Sequence, residues 1–296
     1  MPTTLQSGTQ ILYTISTDHI RIRDPFVVAD RASMQYYLFG TTDADPWNSV
    51  GIGFQVYRSR DLKLWSEPEY AFRPPEGFWG TKNFWAPEVH HYEGSWYLIA
   101  SFYAENRHRG VHIFRSGQIT GPYVPISGSP ATPEDWDCLD GTLYVEENTP
   151  WLVFSHEWTQ IQNGAICALP LAKDLSKATG APVTLFHAKD APWSVPETGD
   201  VVTAKGENYV TDGPFLFHEK GKLKMLWSSF AADGYAIGIA ESRTGKLTGP
   251  WTQQKAPAFD FGGHGMLFDA FDGTRYLVLH APNTSGQERL RFVRWN

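Results

Sequence analysis

The sequence predicts an all-β fold, a five-bladed β-propeller that forms a single domain over residues 1–296. Two observations favour this fold. The apolar runs are short, rich in aromatic and β-branched residues and bounded by Gly, Pro or Asp, which is typical of strands rather than helices. A unit made of a head and two strands also recurs five times, and such repeats are the sequence signature of propellers and related architectures.

Each repeat unit opens with a short head of four residues. The heads lie about 50 to 70 residues apart, close to the roughly 40 to 50 of known propeller blades once loop insertions are allowed. They are "DPFV" at Asp24, "APEV" at Ala86, "DGTL" at Asp140, "DGPF" at Asp212 and "HGML" at His264.

Two further strands follow each head. The first of them is "YYLFG", "WYLIAS", "WLVFS", "LKMLWSS" or "RYLVLH", and polar connectors such as "SRTGKLTGPW" separate the units. We expect four-stranded blades, because their radial repetition leaves few open sheet edges. A β-sandwich is the alternative fold, and it explains the strands but not the matched heads.

Composition and charge limit the partners of the chain. The formal net charge is −7 and neither Lys nor Arg runs in a block, so we expect no nucleic-acid partner. Cys138 and Cys167 are the only cysteines, too few for a disulfide framework. The N-terminus shows no signal peptide and no window reaches about 18 apolar residues, so no membrane span is expected. A cytoplasmic location and secretion with the signal removed both remain open.

The residues that open the inner strands of a propeller converge on its axis, although they are distant in the chain. Three of these heads begin with a carboxylate, at Asp24, Asp140 and Asp212, and one begins with His264. Crowded carboxylates raise one another's pKa, an arrangement that proton-transfer chemistry uses. Cleavage of a glycosidic bond needs one carboxylic acid and one carboxylate on opposite faces of the sugar. A turn or cap role is the alternative for each Asp taken alone.

The motifs "RDPFV", "FWAPEVH", "DGTLY", "TDGPF" and "GGHGMLF", in this order, resemble glycoside hydrolase family 43 over nearly the whole chain. The resemblance implies a five-bladed propeller that hydrolyses arabinose-, xylose- or galactose-containing glycans with inversion. It makes α-L-arabinofuranose the first candidate sugar, followed by β-D-galactofuranose and β-D-xylose. The expected partner is therefore a carbohydrate, while the oligomeric state is left open.

The resemblance also assigns roles to the three acids. Asp24 matches the general base, Asp140 the residue that modulates the pKa of the acid, and Asp212 the general acid. The family usually has Glu in the last position, and Asp is one methylene shorter, so its oxygens fall about 1.5 Å short. Glu197 and Glu207 are the alternative acids upstream of Asp212.

Several residues near the heads are candidates for substrate binding. Aromatic faces pack on sugar rings, while most aromatic residues belong to the core. The resemblance adds an arginine from the last strand, and surface charge is the alternative for it. The candidates are Phe84, Trp85, Glu88, Trp158 and Arg289.

His264 matches the histidine that in many family members lies on the axis beside a bound ion. The resemblance implies a structural Ca²⁺ or Na⁺ near His264, and no cofactor is required for the chemistry. Calcium prefers oxygen ligands, so one histidine alone is a poor site and a hydrogen-bonding role is the alternative.

Two functional alternatives remain at this point. Propellers also serve as binding platforms, so a glycan-binding protein with an impaired acid is the first alternative. A retaining hydrolase of the fructan-cleaving type would need a Glu-Cys motif, and neither cysteine follows a Glu. We expect no appended domain, so specificity is assigned to the loops "DADPWNSVG" and "RPPEGFWGTKN" and to residues 188–210.

Overall fold

The computed structural model describes residues 11–198 and 206–296 and forms a five-bladed β-propeller, as the sequence predicts. Five antiparallel sheets follow one another along the chain. Helical structure in the described ranges is confined to α1 at Trp158–Ile161 and to 3-10 turns at Thr17–His19 and Ala188–Asp190. Over those same ranges no helix has the length and apolarity needed to cross a membrane.

Blade one contains six strands, two more than expected. Their order is β1-β5-β4-β3-β2, and β6 pairs with β4. The strands are β1 (Tyr13–Ser16), β2 (Arg23–Asp30), β3 (Gln35–Thr41), β4 (Phe54–Ser59), β5 (Leu64–Ser66) and β6 (Glu69–Phe72).

Blades two, three and four have the expected four strands, and in each sheet the strands follow one another in chain order from the inner strand to the outer edge. Blade two has β7 (Lys82–Tyr92), β8 (Ser95–Ala104), β9 (Arg107–Ser116) and β10 (Val124–Pro125). Blade three has β11 (Cys138–Glu146), β12 (Thr149–His156), β13 (Ala165–Pro170) and β14 (Val183–His187). Blade four has β15 (Asp212–Glu219), β16 (Lys222–Ala231), β17 (Gly234–Ser242) and β18 (Trp251–Gln253).

Blade five has three strands in the described residues, one fewer than expected. They are β19 (Gly263–Asp269), β20 (Arg275–Ala281) and β21 (Arg289–Arg294). The first strand of the chain does not complete this blade, because β1 pairs with β5 and so extends blade one instead.

The first and last blades are joined by polar contacts. Arg23 donates from Nη1 to Oε1 of Glu288 at 2.9 Å, and the Glu288 side chain is fully buried. The amide of Leu290 donates to the carbonyl of Ile20 at 3.3 Å. A buried charge is tolerated only when it is paired, so this ion pair ties the ring closed next to Asp24.

The inner strand of each blade is kinked at its head. In all five blades the register shifts over two residues there, and the first of the two has a left-handed backbone conformation. These residues are Asp24 (φ 52°), Ala86 (φ 48°), Asp140 (φ 57°), Gly213 (φ 49°) and His264 (φ 49°). Left-handed non-glycine residues cost of order 1–3 kcal/mol and cluster at functional sites.

The position of the kink in blade four differs by one residue from the predicted register. The head residue there is Gly213, and Asp212 lies one position earlier, where the other blades have Arg23, Trp85, Leu139 and Gly263. Glycine adopts a positive φ without the Cβ penalty, so the kink settles on Gly213 rather than on its neighbour. Asp212 is therefore not equivalent to Asp24 and Asp140 in the repeat.

In four of the five blades, the backbone amide of the head donates a hydrogen bond to a side chain from the second strand of the preceding blade. Ser101 accepts from Asp140 at 2.8 Å, and Ser228 accepts from His264 at 2.8 Å. Thr41 accepts from Ala86, and His280 of the last blade accepts from Asp24. The kinks free these amides from the sheets, and the ring of acceptors satisfies them.

Candidate active site

The heads of the blades surround a cavity of about 340 Å³. Asp24, Asp140, Asp212 and His264 all line it, although up to 240 residues separate them in the sequence. The propeller therefore brings together all four predicted head residues that carry chemistry.

Asp24 is held as an ionised carboxylate. Its Oδ2 accepts from Oγ1 of Thr41 at 2.7 Å, and its Oδ1 lies 3.2 Å from Nδ1 of His264. Burial alone would raise the pKa of Asp24, but His264, followed by Arg23 and His280, brings it well below its usual range. A buried carboxylate that stays ionised at neutral pH has the protonation state that a general base requires.

Asp140 has the opposite environment. Burial raises the pKa of Asp140 to about 8, and the charges of Asp212 and Asp24 add to this effect while His264 opposes it. Its Oδ2 accepts from the amide of Gly213 at 3.0 Å, the one head amide that takes a carboxylate as its partner. The kink of blade four is thereby coupled to the acid of blade three.

Asp212 opens β15 and contacts a tyrosine. The hydroxyl of Tyr235 donates to Oδ2 of Asp212 at 2.8 Å. Burial raises the pKa of Asp212 to about 6, opposed by the Tyr235 hydrogen bond and by His264. A carboxyl group with a pKa near neutrality can serve as a general acid.

His264 lies between the acids. Burial lowers the pKa of its imidazole, but Asp24 and Asp140 more than offset this, and the result is a pKa of about 10. His280 behaves differently, because burial and the charge of Arg23 lower its pKa to about 4. At neutral pH the site therefore holds one imidazolium and one neutral imidazole.

One wall of the cavity is aromatic. Trp47, Trp85 and Trp158 line it, and Trp47 is 47% exposed. The rings of Trp47 and Trp85 meet edge to face at 4.9 Å, and Arg109 stacks over Trp85 at 4.4 Å. Flat, partly exposed rings fixed in this way can pack against the apolar face of a sugar.

The predicted substrate-binding residues divide into two groups. Trp85 and Trp158 line the cavity, and Phe84, Glu88 and Arg289 do not. Phe84 is buried among other aromatic rings of blades one and two, which follows from its alternation with Trp85 along β7. Glu88 contacts Nε2 of His90 at 2.8 Å, and Arg289 donates to the carbonyl of Glu288. In the structure these three residues therefore make packing or local polar contacts outside the cavity.

The alternative acids also separate. Glu197 lines the cavity, and its amide donates to the carbonyl of Asn208 at 2.8 Å. Glu207 is exposed and lies 3.8 Å from Nζ of Lys189. Part of the loop assigned to specificity, residues 199–205, lies outside the described residues.

The cavity residues that were not singled out individually in the sequence include Arg23, Trp47, Glu157 and Tyr235. Arg23 and Glu157 are next to predicted residues, in "RDP" and "HEW", so adjacency was a usable signal. Trp47 lies in a loop that was assigned to specificity. Tyr235 has no such signal, because it lies near the start of β17, the third strand of its blade, and adjoins no predicted residue.

The axial histidine was also a candidate neighbour of an ion. Nδ1 of His264 faces Asp24 at 3.2 Å and Asp140 at 3.6 Å. Within residues 11–198 and 206–296 no group of three or more His, Cys, Asp or Glu is arranged to hold a metal ion. This donor set does not fit a directly bound cation, and no step below involves one.

Comparison with known sequences identifies the family of the chain. The model of a family described as glycosyl hydrolases family 43 matches residues 16–294. The chain is 23% identical over 265 residues to the extracellular endo-alpha-(1->5)-L-arabinanase 1 of Bacillus subtilis, covering 84% of this chain and 72% of that protein. It is 26% identical over 189 residues to alpha-L-arabinofuranosidase 43 of Humicola insolens, covering 61% of this chain and 37% of that protein.

Comparison with solved structures gives a similar result. An endo-arabinase from Bacteroides thetaiotaomicron superposes with a TM-score of 0.87 and 38% sequence identity, covering 96% of this chain and 98% of that one. The similarity therefore extends over nearly the whole of both chains.

Proposed function

Because the chain belongs to glycosyl hydrolases family 43, we propose that it hydrolyses α-L-arabinofuranosyl linkages with inversion of configuration. The observation that carries this proposal is the contrast between two carboxyl groups of one cavity, Asp24 with a lowered pKa and Asp212 with a raised one. Such a contrast is how a fold assigns base and acid roles to chemically similar groups.

The base step is assigned to Asp24. Its carboxylate is ionised and is fixed by Thr41 and His264, so it is ready to take a proton from a water molecule beside the sugar. As the water attacks the anomeric carbon, its proton passes to Asp24 and the glycosidic bond on the opposite face breaks.

The acid step is assigned to Asp212, with Asp140 as its modulator. Asp212 gives its proton to the departing glycosidic oxygen and becomes a carboxylate. Asp140 raises the free-energy cost of ionising Asp212, because like charges in one buried site disfavour each other. Asp140 is also linked to the backbone beside Asp212 through Gly213, so it positions the acid as well.

The lining of the cavity supports an uncharged substrate. Five carboxyl groups line it, against Arg23 and His264, and Arg23 is already bound to Glu288 and Asn283. Among the described residues of the lining neither cation is free to bind a uronic acid, because His264 is already paired with Asp24. The carboxyl groups are those of Asp24, Asp140, Asp212, Glu157 and Glu197.

Arabinose is favoured over the other sugars by the relatives. The two relatives and the 38% identical structure are named as arabinanases or as an arabinofuranosidase. We therefore propose arabinan or arabino-oligosaccharides as the substrate, with β-D-xylose and β-D-galactofuranose as comparison sugars.

The first experiment combines linear arabinan, arabino-oligosaccharides and nitrophenyl glycosides of the three sugars. Wild type should cleave the arabinose substrates, and NMR of the first product should show the inverted anomer. Asp24→Asn should lose about 100-fold or more, since general base catalysis contributes about 10² to 10⁴. The control is Asp30→Asn, at the far end of the same strand, which should keep full activity. Retention of configuration would exclude the inverting mechanism, and a wild type that binds but never cleaves would leave a glycan-binding role.

A second experiment decides between the acids. Asp212→Asn and Glu197→Gln are compared on an unactivated oligosaccharide, because activated nitrophenyl leaving groups need little acid help. Asp212→Asn should show the larger loss, and Glu207→Gln, which alters an exposed carboxylate outside the cavity, is the control. A larger loss in Glu197→Gln would transfer the acid role to Glu197.

A further inference from the structure

We propose that Tyr235 is the positioning residue of the general acid, and that it fixes the shorter Asp212 side chain in the orientation needed for proton donation. This inference rests on the proposed function, since it deepens the acid step. No motif in the sequence points to Tyr235. Its contacts in the folded protein carry the argument.

The contact between Tyr235 and Asp212 is direct. Tyr235 lies in β17 and Asp212 at the start of β15, two strands of blade four that are separated by β16. The phenol oxygen donates to Oδ2 of Asp212 at 2.8 Å, a distance typical of a good O–H···O hydrogen bond. Both residues line the cavity, and Tyr235 is only 5% exposed.

The ring of Tyr235 is held on both sides. It stacks on His280 with centroids 5.8 Å apart and an interplanar angle of 24°. On another side it occupies the space beside Gly263, where an added Cβ would come within 1.9 Å of Cε1 of the ring. A ring fixed in this way can hold its hydroxyl in one place, which is the requirement for precise positioning.

The hydrogen bond has a defined consequence for the acid. Because Tyr235 donates its one proton to Oδ2, the catalytic proton of Asp212 is left to Oδ1. In the reaction the Oδ1–H bond breaks, an O–H bond forms on the leaving sugar, and the new carboxylate retains the Tyr235 hydrogen bond. Asp24 takes the proton of the attacking water, so the proton count balances.

Several charged or titratable groups surround this pair and contribute to its pH behaviour. Burial raises the pKa of Asp212, whereas donation from Tyr235 stabilises the ionised form and lowers it. Removal of the phenol hydroxyl therefore raises this pKa further. The other groups that act on Asp212 or Tyr235 are Arg23, Asp24, Asp140, Glu157 and His264, with the His280 ring stacked on Tyr235.

The test is Tyr235→Phe, which removes the hydroxyl and keeps the ring. On an unactivated arabino-oligosaccharide kcat should fall about 100-fold, the loss associated with a misplacement of about 1 Å, while a nitrophenyl arabinoside should lose far less. The alkaline limb of the kcat profile should move to higher pH. Equal losses on both substrates, or an unmoved limb, would overturn the proposal.

Two further variants keep the result interpretable. Tyr123→Phe removes another buried hydroxyl, which donates to the carbonyl of Ile119 outside the cavity, and should leave the rates on both substrates and the limb unchanged. If Tyr235→Phe does not fold, the test uses 3-fluorotyrosine at position 235 instead. Its more acidic phenol donates more strongly, so the alkaline limb should move to lower pH, and no movement would contradict the proposal.

The same experiment separates this inference from the function it rests on. A wild type that is inactive on every arabinose substrate would reject the proposed function. An active wild type together with an unaltered Tyr235→Phe variant would reject only the role of Tyr235.

Discussion

Nδ1 of His264 lies 3.2 Å from Oδ1 of Asp24 and 3.6 Å from Oδ2 of Asp140, so one buried imidazole contacts two blade heads. Asp24 is ionised and His264 is protonated, and together they form a neutral pair. Burial of this pair costs less than burial of either charge alone. Below about pH 6 the remaining acids, Asp140 and Asp212, keep their protons, so these four groups together then carry no net charge.

The buried imidazolium predicts that the protein loses stability in alkali. The folded-state pKa of His264 is about 10, above its ordinary value of 6.5, so its stabilisation is complete below about pH 6.5 and is lost as the pH rises through 10. The raised pKa of Asp140 also makes the protein less stable as the pH rises, but only up to about pH 8. Between pH 8 and 9 the free energy of unfolding should therefore fall by about 1 kcal/mol.

Urea unfolding at pH 8 and pH 9 measures this effect. His264→Gln should reduce the change in the free energy of unfolding between pH 8 and pH 9. His218→Gln, which alters an exposed histidine, should keep the wild-type change. A wild-type stability that is constant from pH 8 to pH 9 would mean that His264 is neutral in the folded state.

The pKa values of the acids predict where activity is lost at high pH. The general acid must be protonated, and the coupled carboxyls of Asp140 and Asp212 have pKa values of about 8 and about 6. The alkaline limb of kcat should therefore lie between about pH 6 and 8. Asp140→Asn leaves Asp212 as the one member of the pair that titrates, so the limb should move to lower pH, towards about pH 6. A limb that stays in place in this variant would show that Asp140 does not modulate the acid.

Trp47 is predicted to bind the sugar chain rather than to take part in the chemistry. It is 47% exposed, lines the cavity and is braced by Trp85 at 4.9 Å. Trp47→Ala should raise KM for an arabino-oligosaccharide about 10-fold, which corresponds to about 1.4 kcal/mol, with little change in kcat. Phe261→Ala, which removes a 71% exposed ring outside the cavity, is the control. A loss in kcat alone would contradict a binding role.

The fold was predictable because the repeat is visible in the sequence. Heads, strands and connectors recur, and the structure confirms that each head lies in the first half of an inner strand. The number of strands per blade was not predictable in the same way. The pairing of β1 with β5 depends on where short edge segments meet in space, and such segments carry little pattern of their own.

The site was predictable to the extent that it uses the heads. Asp24, Asp140 and His264 share a repeat position, and Asp212 is adjacent to one. The one-residue offset of Asp212 was missed because "DGPF" was aligned with "DPFV" on Asp, whereas alignment on Pro pairs "PF" with "PF" and puts Gly213 at the position of Asp24. Tyr235 reaches Asp212 across β16, a contact between strands that no local pattern encodes.

Gly213 provides the sharpest test of the blade-four kink. An alanine there must adopt φ near 49°, and its Cβ would come within 2.7 Å of Cδ2 of His264. Gly221→Ala is the matched control, because Gly221 also has a positive φ, of 77°, but nothing lies within 4 Å of its added Cβ. The left-handed conformation costs an alanine about 1–2 kcal/mol in both variants.

Urea unfolding and kcat together measure what the kink adds. Gly213→Ala should cost more stability than Gly221→Ala, because it adds the clash with His264 to the shared backbone penalty. It should also reduce kcat, since displacement of the Gly213 amide removes the 3.0 Å hydrogen bond to Asp140, whereas Gly221→Ala should keep wild-type activity. If the two variants lose the same stability and both stay active, the kink tolerates a shifted His264 and does not hold the acids in place.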